Sequence, residues 1–238
     1  MRRFFAPVEN FSSDKVVLDA DETRHLRDVL RLHSGDEVSV FDGEGREFAC
    51  SIIEISKNFT SLNVVAETAP VSPESPLAIT IAATVLNGEK YDLIIQKAVE
   101  LGVVSLIPLH TIRCDVKPKD AARRLNRWRR IALEATKQTG RARIMRIEEP
   151  AEFSDVIERK EGPLVMFSER DGEDFAAIQL TNGVTVLYGP KGGWDDSELD
   201  AARSSGARII TLGGRILRAE TASIAITAIL QHRFGDLK

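Results

Sequence analysis

The sequence has little cysteine, no long apolar run and no recognisable leader. Cys50 and Cys114 are its two cysteines, and their separation fits neither a disulfide framework nor the paired ligands of a zinc site. No stretch of about eighteen apolar residues is present, so no transmembrane helix is predicted. Two arginines follow the first methionine, but Pro7 and Glu9 interrupt the apolar stretch that a signal peptide needs. These absences predict a cytoplasmic protein.

Several catalytic and nucleotide-binding patterns are also missing. The four histidines have no metal-ligand spacing, so neither a metal site nor a histidine-based nucleophile is predicted. The stretch Gly189–Gly193 lacks the Gly-Lys-Ser/Thr end of a P-loop, and no Gly-x-Gly-x-x-Gly motif opens a helix nearby. A ligand bound there is therefore not expected to be held by its phosphates.

Positive charge is scarce overall but concentrated in one segment. The formal net charge is −4, a poor match for RNA binding if the charge is evenly spread. Residues 112–146, however, contain twelve Lys/Arg and three Asp/Glu, a net of +9, which leaves −13 for the rest of the chain. A polyanion responds to such a local concentration, so this segment is a candidate RNA contact.

A proline-rich spacer, residues 70–76, predicts a boundary between two domains, 1–72 and 73–238. The first domain is predicted to consist of short β-strands and one helix. Asp21 is the predicted N-terminal cap of that helix. Its predicted strands are Lys15–Leu18, Asp36–Phe41, Glu47–Ile55 and Thr60–Ala66.

The second domain alternates strands and helices, which predicts a mostly parallel sheet covered by helices on both faces, an α/β fold. The predicted strands are Leu77–Leu86, Val103–Leu109, Ile144–Ile147, Leu164–Phe167, Val184–Tyr188 and Arg208–Leu212. The predicted helices are Tyr91–Leu101, Ala121–Thr139, Phe153–Arg159, Ser197–Ser204 and Glu220–Phe234.

Two of the predicted strands end abruptly in glycines. Val184–Tyr188 is followed by Gly189-Pro-Lys-Gly-Gly193, and Arg208–Leu212 by Gly213-Gly-Arg-Ile-Leu-Arg-Ala-Glu-Thr-Ala222. Loops at the carboxyl ends of parallel strands form the usual ligand crevice of an open α/β sheet, and glycine allows close approach to backbone groups. One such loop can be a simple tight turn; two of them favour a binding site.

These two motifs resemble the RsmE family, the bacterial 16S ribosomal RNA uridine N3-methyltransferases of the SPOUT superfamily, and the resemblance covers nearly the whole chain. It implies a trefoil-knotted domain that binds S-adenosylmethionine, a PUA-like N-terminal β-barrel, a homodimer, and as substrate a uridine in the decoding region of 16S RNA or of the small ribosomal subunit. Lys191 departs from the family, which usually has Glu at this position; Lys137 and Met145 also depart.

The resemblance and the chemistry of methyl transfer assign roles to residues of both loops. Arg218 is predicted to stabilise negative charge on the uracil oxygens, and Glu220 to accept the proton, although a carboxylate at a helix start is also favoured by the helix dipole alone. Arg215 is predicted to position the donor carboxylate or the loop. The predicted donor-binding residues are Leu187, Gly189, Pro190, Gly192, Gly193, Leu212, Gly213, Arg215, Ile216, Leu217 and Thr221.

RNA contact is predicted for ten basic side chains. A basic helix face is often merely solvated, but too few acids alternate with these arginines for local pairing to explain them. The predicted RNA-binding residues are Arg2, Arg3, Arg24, His25, Arg31, Arg123, Arg127, Arg130, Arg141 and Arg143.

Three functions remain open from the sequence. The first is the methyltransferase, with the apolar last helix as dimer interface, although burial of that helix within its own subunit gives the same pattern. The second is a non-catalytic rRNA-binding or assembly protein that has lost the donor, for which Lys191 is the indication. The third, an enzyme with another adenine-containing ligand, is disfavoured because no phosphate-binding motif is present.

Overall fold

The computed structural model describes residues 2–159 and 162–237. The chain forms two compact units. The first comprises the residues as far as Glu74 together with Thr136–Ile144, and the second comprises Ser75–Ala135 and the chain from Met145 onward.

The first unit is built on one five-stranded sheet in the order β1-β3-β4-β5-β2. β1 pairs with β3 in parallel and the other pairs are antiparallel. All four predicted strands are confirmed, and the opening strand β1 was not predicted. The strands are β1 (Arg3–Phe5), β2 (Lys15–Leu18), β3 (Glu37–Phe41), β4 (Glu47–Ile55) and β5 (Thr60–Thr68).

The predicted helix of this unit is α1 (Ala20–Arg24), which continues as a π-helical turn, His25–Val29. The prediction that Asp21 caps it is wrong. Asp19 has an extended backbone, and its carboxylate accepts hydrogen bonds from the amides of Asp21 and Glu22. Asp21 already lies inside the first turn, so its amide is one of the groups that need a cap.

Arg3 connects residues 136–144 to the sheet of the first unit. Its guanidinium pairs with Glu47 at 3.0 Å and donates to the carbonyls of Thr136 at 3.2 Å and Arg141 at 2.6 Å. The guanidinium also lies 4.0 Å from the Phe41 ring centroid. Such a charge-assisted network fixes a segment that is remote in sequence.

The second unit contains a parallel sheet in the order β11-β13-β10-β12-β6-β7-β8, with β9 also paired to β7. Every strand pair that the structure describes in it is parallel, as predicted. The strands are β6 (Ala78–Thr84), β7 (Ser105–His110), β8 (Arg146–Ile147), β9 (Ala151–Glu152), β10 (Leu164–Phe167), β11 (Glu173–Asp174), β12 (Gly183–Tyr188) and β13 (Arg208–Thr211).

Helices pack around this sheet over two apolar clusters, one containing Ile81 and Val186 and the other Leu187 and Ile209. The helices are α2 (Glu89–Glu100), α3 (Pro118–Ala122), α4 (Leu125–Thr139), α5 (Phe153–Ile157), α6 (Asp196–Ser205) and α7 (Ala219–Phe234). Among the described residues, no helix has the length and apolar composition of a transmembrane segment.

The prediction of one continuous basic helix over Ala121–Thr139 is wrong. The chain forms α3 and α4 because the amide of Arg124 bonds to the carbonyl of Ala121, three residues back, at 2.9 Å, a tighter turn than an α-helix makes. The apolar face of α4 packs on the core: Leu125, Trp128, Ala132 and Ala135 are buried, and Ile131 is partly buried.

The predicted strand Ile144–Ile147 is shorter than expected. Ile144 belongs to the first unit, where its amide bonds to the carbonyl of Gly43 at 2.9 Å, so only Arg146–Ile147 pairs with β7. Cys50 and Cys114 are both free thiols.

Candidate active site

The strand order brings three loops of the second unit together. β12 and β13 both pair with β10, so the segments that follow these three strands leave the same edge of the sheet side by side. They enclose a pocket of about 600 Å³. Its walls are Phe167, Ser168, Glu169, Gly189, Pro190, Lys191, Gly192, Gly193, Trp194, Thr211, Leu212, Gly213, Gly214, Arg215, Ile216, Leu217, Ala219, Ala222 and Ile226.

Trp194 anchors the loop after β12. Its buried indole Nε1 donates a 2.7 Å hydrogen bond to the carbonyl of Phe167, at the end of β10. A β-carbon at Gly189 would lie 2.8 Å from the indole ring. Glycine is therefore required at 189 because the ring packs against the loop backbone, and this packing sets one wall of the pocket.

Arg113 supports the same loop from the segment after β7. It donates to the carbonyls of Gly192 at 3.0 Å and Trp194 at 3.3 Å and pairs with Asp195 at 3.1 Å. Asp195 in turn caps α6 in a capping box with Glu198. Sequence reasoning did not identify this role of Arg113, since its partners lie about eighty residues away.

The loop after β13 is the exposed side of the pocket. Gly214 has a φ of +97°, and the side chains that follow it are open to solvent: Ile216 is 87% and Leu217 39% exposed. Ala219, Ala222 and Ile226 of α7 add further apolar wall. Large apolar side chains exposed beside glycine backbone are typical of a site that covers a flat, partly apolar ligand.

Most of the predicted donor-binding residues meet in this pocket. Nine of the eleven line it, whereas Leu187 is buried in the core beside Trp194 and Thr221 is exposed in the first turn of α7. Sequence reasoning missed Ser168 and Glu169. The available signal was that they follow a predicted parallel strand, but the position of β10 between the two glycine loops is not visible in the chain order.

Arg218 and Glu220 flank the start of α7 without lining the pocket wall. Arg218 is exposed, precedes the first helical residue and forms no side-chain hydrogen bond or ion pair with any described residue. Glu220 is 14% exposed at its side chain and lies 3.2 Å from the ammonium of Lys90. Burial raises the pKa of Glu220, but its own backbone amide, Lys90 and Arg218 outweigh burial and leave the pKa below its ordinary value.

The predicted RNA-binding residues of the first unit fall into two groups. Arg2, Arg24, His25, Arg31 and Arg143 are exposed. Arg3 is enclosed as described above, and the side chain of Arg141 is 3% exposed and pairs with Glu74 at 2.5 Å. The guanidinium groups of Arg3 and Arg141 are thus engaged within the unit.

In the second unit, acids lie close to part of the basic segment. Arg127 pairs with Asp92 at 2.5 Å, Arg129 with Glu149 at 3.0 Å, and Arg123 lies 3.7 Å from Asp120. The expectation concerned local pairing; Arg127 and Arg129 are paired instead by acids outside the basic segment, Asp92 and Glu149. Arg130 is exposed and has no ion pair among the described residues.

A group of three or more side chains able to hold a metal ion is absent from the described part of the chain. Two family models match successive parts of the chain. Residues 73–231 match an RNA methyltransferase domain and residues 18–65 match an RNA methyltransferase PUA domain. Fold and domain content together define an RNA methyltransferase.

Similarity to curated proteins over most of the chain identifies the family more specifically. The chain is 32% identical over 226 residues to ribosomal RNA small subunit methyltransferase E of Bacillus subtilis, covering 89% of this chain and 88% of that protein. It is 30% identical over 236 residues to the protein of the same name from Synechocystis, covering 95% and 76%. The chain belongs to the ribosomal RNA small subunit methyltransferase E family.

A solved structure of that family has the same fold. Ribosomal RNA small subunit methyltransferase E from Neisseria gonorrhoeae, bound to S-adenosyl methionine, superposes with a TM-score of 0.90 at 31% identity, and the match covers 100% of both chains. The predicted α/β fold with a preceding PUA-type domain is thereby confirmed.

Proposed function

We propose that this protein transfers the methyl group of S-adenosylmethionine to N3 of a uridine in 16S ribosomal RNA. The observation that carries the proposal is the pocket at the ends of β10, β12 and β13. Nine residues that the sequence motifs predict to bind the donor line it, in a chain that belongs to an rRNA methyltransferase family.

The pocket suits S-adenosylmethionine in size and chemistry. About 600 Å³ lies within the range of pockets for ligands of this size. The glycine loops expose backbone donors and acceptors for adenine and ribose, and Leu217, Ala219 and Ile226 offer apolar surface. Arg215 supplies a cation for the donor carboxylate. This wall composition favours a nucleoside held by shape and backbone hydrogen bonds.

When bound, the donor supplies an electrophilic methyl group, and its sulfur becomes neutral as the S–CH₃ bond breaks and the N3–CH₃ bond forms. The uracil N3–H must be lost in the same reaction, which places negative charge on O2 and O4 of the base. Arg218 is the proposed group that stabilises this charge, because its guanidinium is exposed beside the donor loop and has no ion-pair partner in the part of the chain that the structure describes.

Glu220 is the proposed proton acceptor. The lowered pKa of Glu220 keeps it ionised at neutral pH, as an acceptor must be. A low pKa also makes a carboxylate a weak base, and Lys90 already holds it at 3.2 Å. We therefore assign the larger catalytic effect to Arg218 and a smaller one to Glu220.

The proposed RNA contacts are the exposed basic side chains of each unit. In the first unit they are Arg2, Arg24, His25, Arg31 and Arg143, and in the second Arg123, Arg127 and Arg130. Arg3 and Arg141 are assigned a structural role, because removing either guanidinium leaves a carboxylate partner, Glu47 or Glu74, unpaired.

Three further properties belong to the proposal through the family resemblance. The two glycine loops form a trefoil-knotted backbone, α7 takes part in a homodimer, and the enzyme acts in the cytoplasm on 16S RNA or on the small ribosomal subunit. On α7, the 38% exposure of Ile229, an apolar side chain left open to solvent, supports the dimer.

The test is transfer of a radiolabelled methyl group from S-adenosylmethionine to purified small subunits and to free 16S RNA, both from cells that lack the modification. Labelled 16S RNA in either sample is the expected result. The competing function, a non-catalytic rRNA-binding protein, is favoured by the lysine at 191 in the pocket wall. Binding of small subunits without donor binding or methyl transfer would establish the non-catalytic function and contradict the proposed methyltransferase activity.

A further inference from the structure

Glu169 stands out among the residues of the donor pocket. It follows β10, between the two glycine loops, and neither motif includes it. Among the described residues that line the pocket it is the sole carboxylate, whereas Lys191 and Arg215 contribute positive charge. The pocket therefore places one negative charge among two positive ones.

The carboxylate of Glu169 is held against the backbone of the first glycine loop. Gly193 has a φ of +71°, and a β-carbon there would lie 2.5 Å from Oε1 of Glu169. The absence of a side chain at 193 is therefore what admits the carboxylate to this position. The first glycine loop and the carboxylate of Glu169 therefore form one wall of the pocket together.

The charge of Glu169 is not neutralised by a close ion pair. Nε of its neighbour Arg170 lies 4.0 Å away, at the limit of an ion pair. The same guanidinium binds Asp196 at 2.6 Å and donates to the carbonyl of Trp194 at 3.3 Å. Arg170 is thus committed to other partners, and Glu169, 38% exposed at its side chain, remains available to a ligand.

A sulfonium ion has no N–H or O–H to donate, so a protein can distinguish it from a neutral thioether mainly through charge. We propose that Glu169 makes the pocket selective for the positively charged methyl donor over its neutral-sulfur product. Weaker retention of the product then favours turnover. This inference rests on the proposed function, since it deepens the role of the same site.

Calorimetric titrations with S-adenosylmethionine and S-adenosylhomocysteine test the inference on the whole protein. Glu169→Gln keeps size and hydrogen bonding and removes the charge. We expect its affinity for S-adenosylmethionine to fall about tenfold, and its affinity for S-adenosylhomocysteine to change by less than about twofold.

Asp171→Asn is the matched control. It removes one negative charge from the same loop at a residue outside the pocket wall, and asparagine tolerates the positive φ of 61° found there. Both affinities are expected to stay within about twofold of the wild type. Equal losses of both ligands in Glu169→Gln, or no loss of either, would overturn the inference.

A charge relocation strengthens the test. Lys191 lines the same pocket two residues before Gly193, so Lys191→Glu replaces a positive charge of the pocket wall with a carboxylate. In the Glu169→Gln background we expect Lys191→Glu to restore at least part of the preference for S-adenosylmethionine; no restoration would argue against recognition through charge.

Failure of the inference and failure of the proposed function give different results. Wild-type protein that binds neither nucleoside contradicts the donor site itself. Wild-type protein that binds both, with a preference that Glu169→Gln leaves unchanged, contradicts only the role of Glu169.

Discussion

The indole of Trp194 donates a 2.7 Å hydrogen bond to the backbone carbonyl of Phe167. This bond joins the loop after β12 to the end of β10, two segments that form adjacent walls of the pocket. The shape of the pocket therefore depends on a contact between side chain and backbone that spans 27 residues.

Trp194→Phe removes this hydrogen bond and keeps an aromatic ring. We expect a loss of unfolding free energy of about 1–3 kcal/mol, because a buried carbonyl is left without its partner, and a several-fold loss of affinity for S-adenosylmethionine. Urea denaturation and calorimetry measure the two effects. Trp128→Phe is the control: it lies in α4, outside the pocket wall, so it should lower stability and leave donor affinity unchanged.

Gly189→Ala and Gly213→Ala separate loop packing from ligand contact. A β-carbon at 189 meets the Trp194 ring at 2.8 Å, whereas one at 213 has no atom within 4 Å. We expect Gly189→Ala to destabilise the unliganded protein by about 1–3 kcal/mol and Gly213→Ala to stay within about 0.5 kcal/mol of wild type. Equal stability of the two variants would show that the loop at 189 accommodates the added methyl group without a loss of unfolding free energy. A loss of donor affinity in Gly213→Ala alone would indicate direct contact there.

Arg218→Ala and Arg215→Ala should divide catalysis from donor binding. Arg218 is proposed to act on the uracil, so its loss should lower the rate of methyl transfer about a hundredfold or more and leave donor affinity nearly intact. Arg215 lines the pocket, so its loss should chiefly weaken donor affinity. Single-turnover rates and calorimetry distinguish the two. Parallel losses of rate and affinity in Arg218→Ala would identify Arg218 as a binding residue.

The pKa of Glu220 predicts a pH-dependent contribution to stability. Since the folded-state pKa lies below the ordinary value of 4.5, ionised Glu220 stabilises the fold above that value, and the contribution disappears as the pH falls through the folded-state pKa. Glu220→Gln should therefore be less stable than wild type at pH 6–7, and the difference should shrink toward pH 3 in urea denaturation. A difference independent of pH would show that packing, rather than charge, is lost.

The sequence predicted the positions of the two glycine loops well because local signals defined them. β-branched apolar runs marked β12 and β13, and the glycines that follow mark the points where backbone approaches a ligand or another side chain. Gly189 shows the limit of this reasoning: the glycine was predicted to admit a ligand, and the structure adds that Trp194 packs against it.

Glu169 could not be found in this way, because its place in the pocket follows from the order of strands in the sheet. β10 lies between β12 and β13 in space but precedes both in the chain. Spatial order depends on the long-range pairing of parallel strands, which local periodicity does not encode.

Arg3 and Arg141 illustrate the same limit for charge. Each resembles a solvated basic residue in sequence, yet Glu47 and Glu74 pair with them from 44 and 67 residues away. A count of nearby acids therefore overstated how much of the basic segment is free for RNA. The exposed members, such as Arg130 and Arg143, remain the predicted contacts.

The identity of the methylated atom decides whether the protein is a uridine N3-methyltransferase. After reaction of the protein with S-adenosylmethionine and unmodified small subunits, the 16S RNA is digested to nucleosides and separated by chromatography coupled to mass spectrometry. We expect one new product, N3-methyluridine, from one site, and no such product when the donor is omitted. A methyl group on another base or on a ribose hydroxyl, or no product at all with a protein that binds its donor, would contradict it.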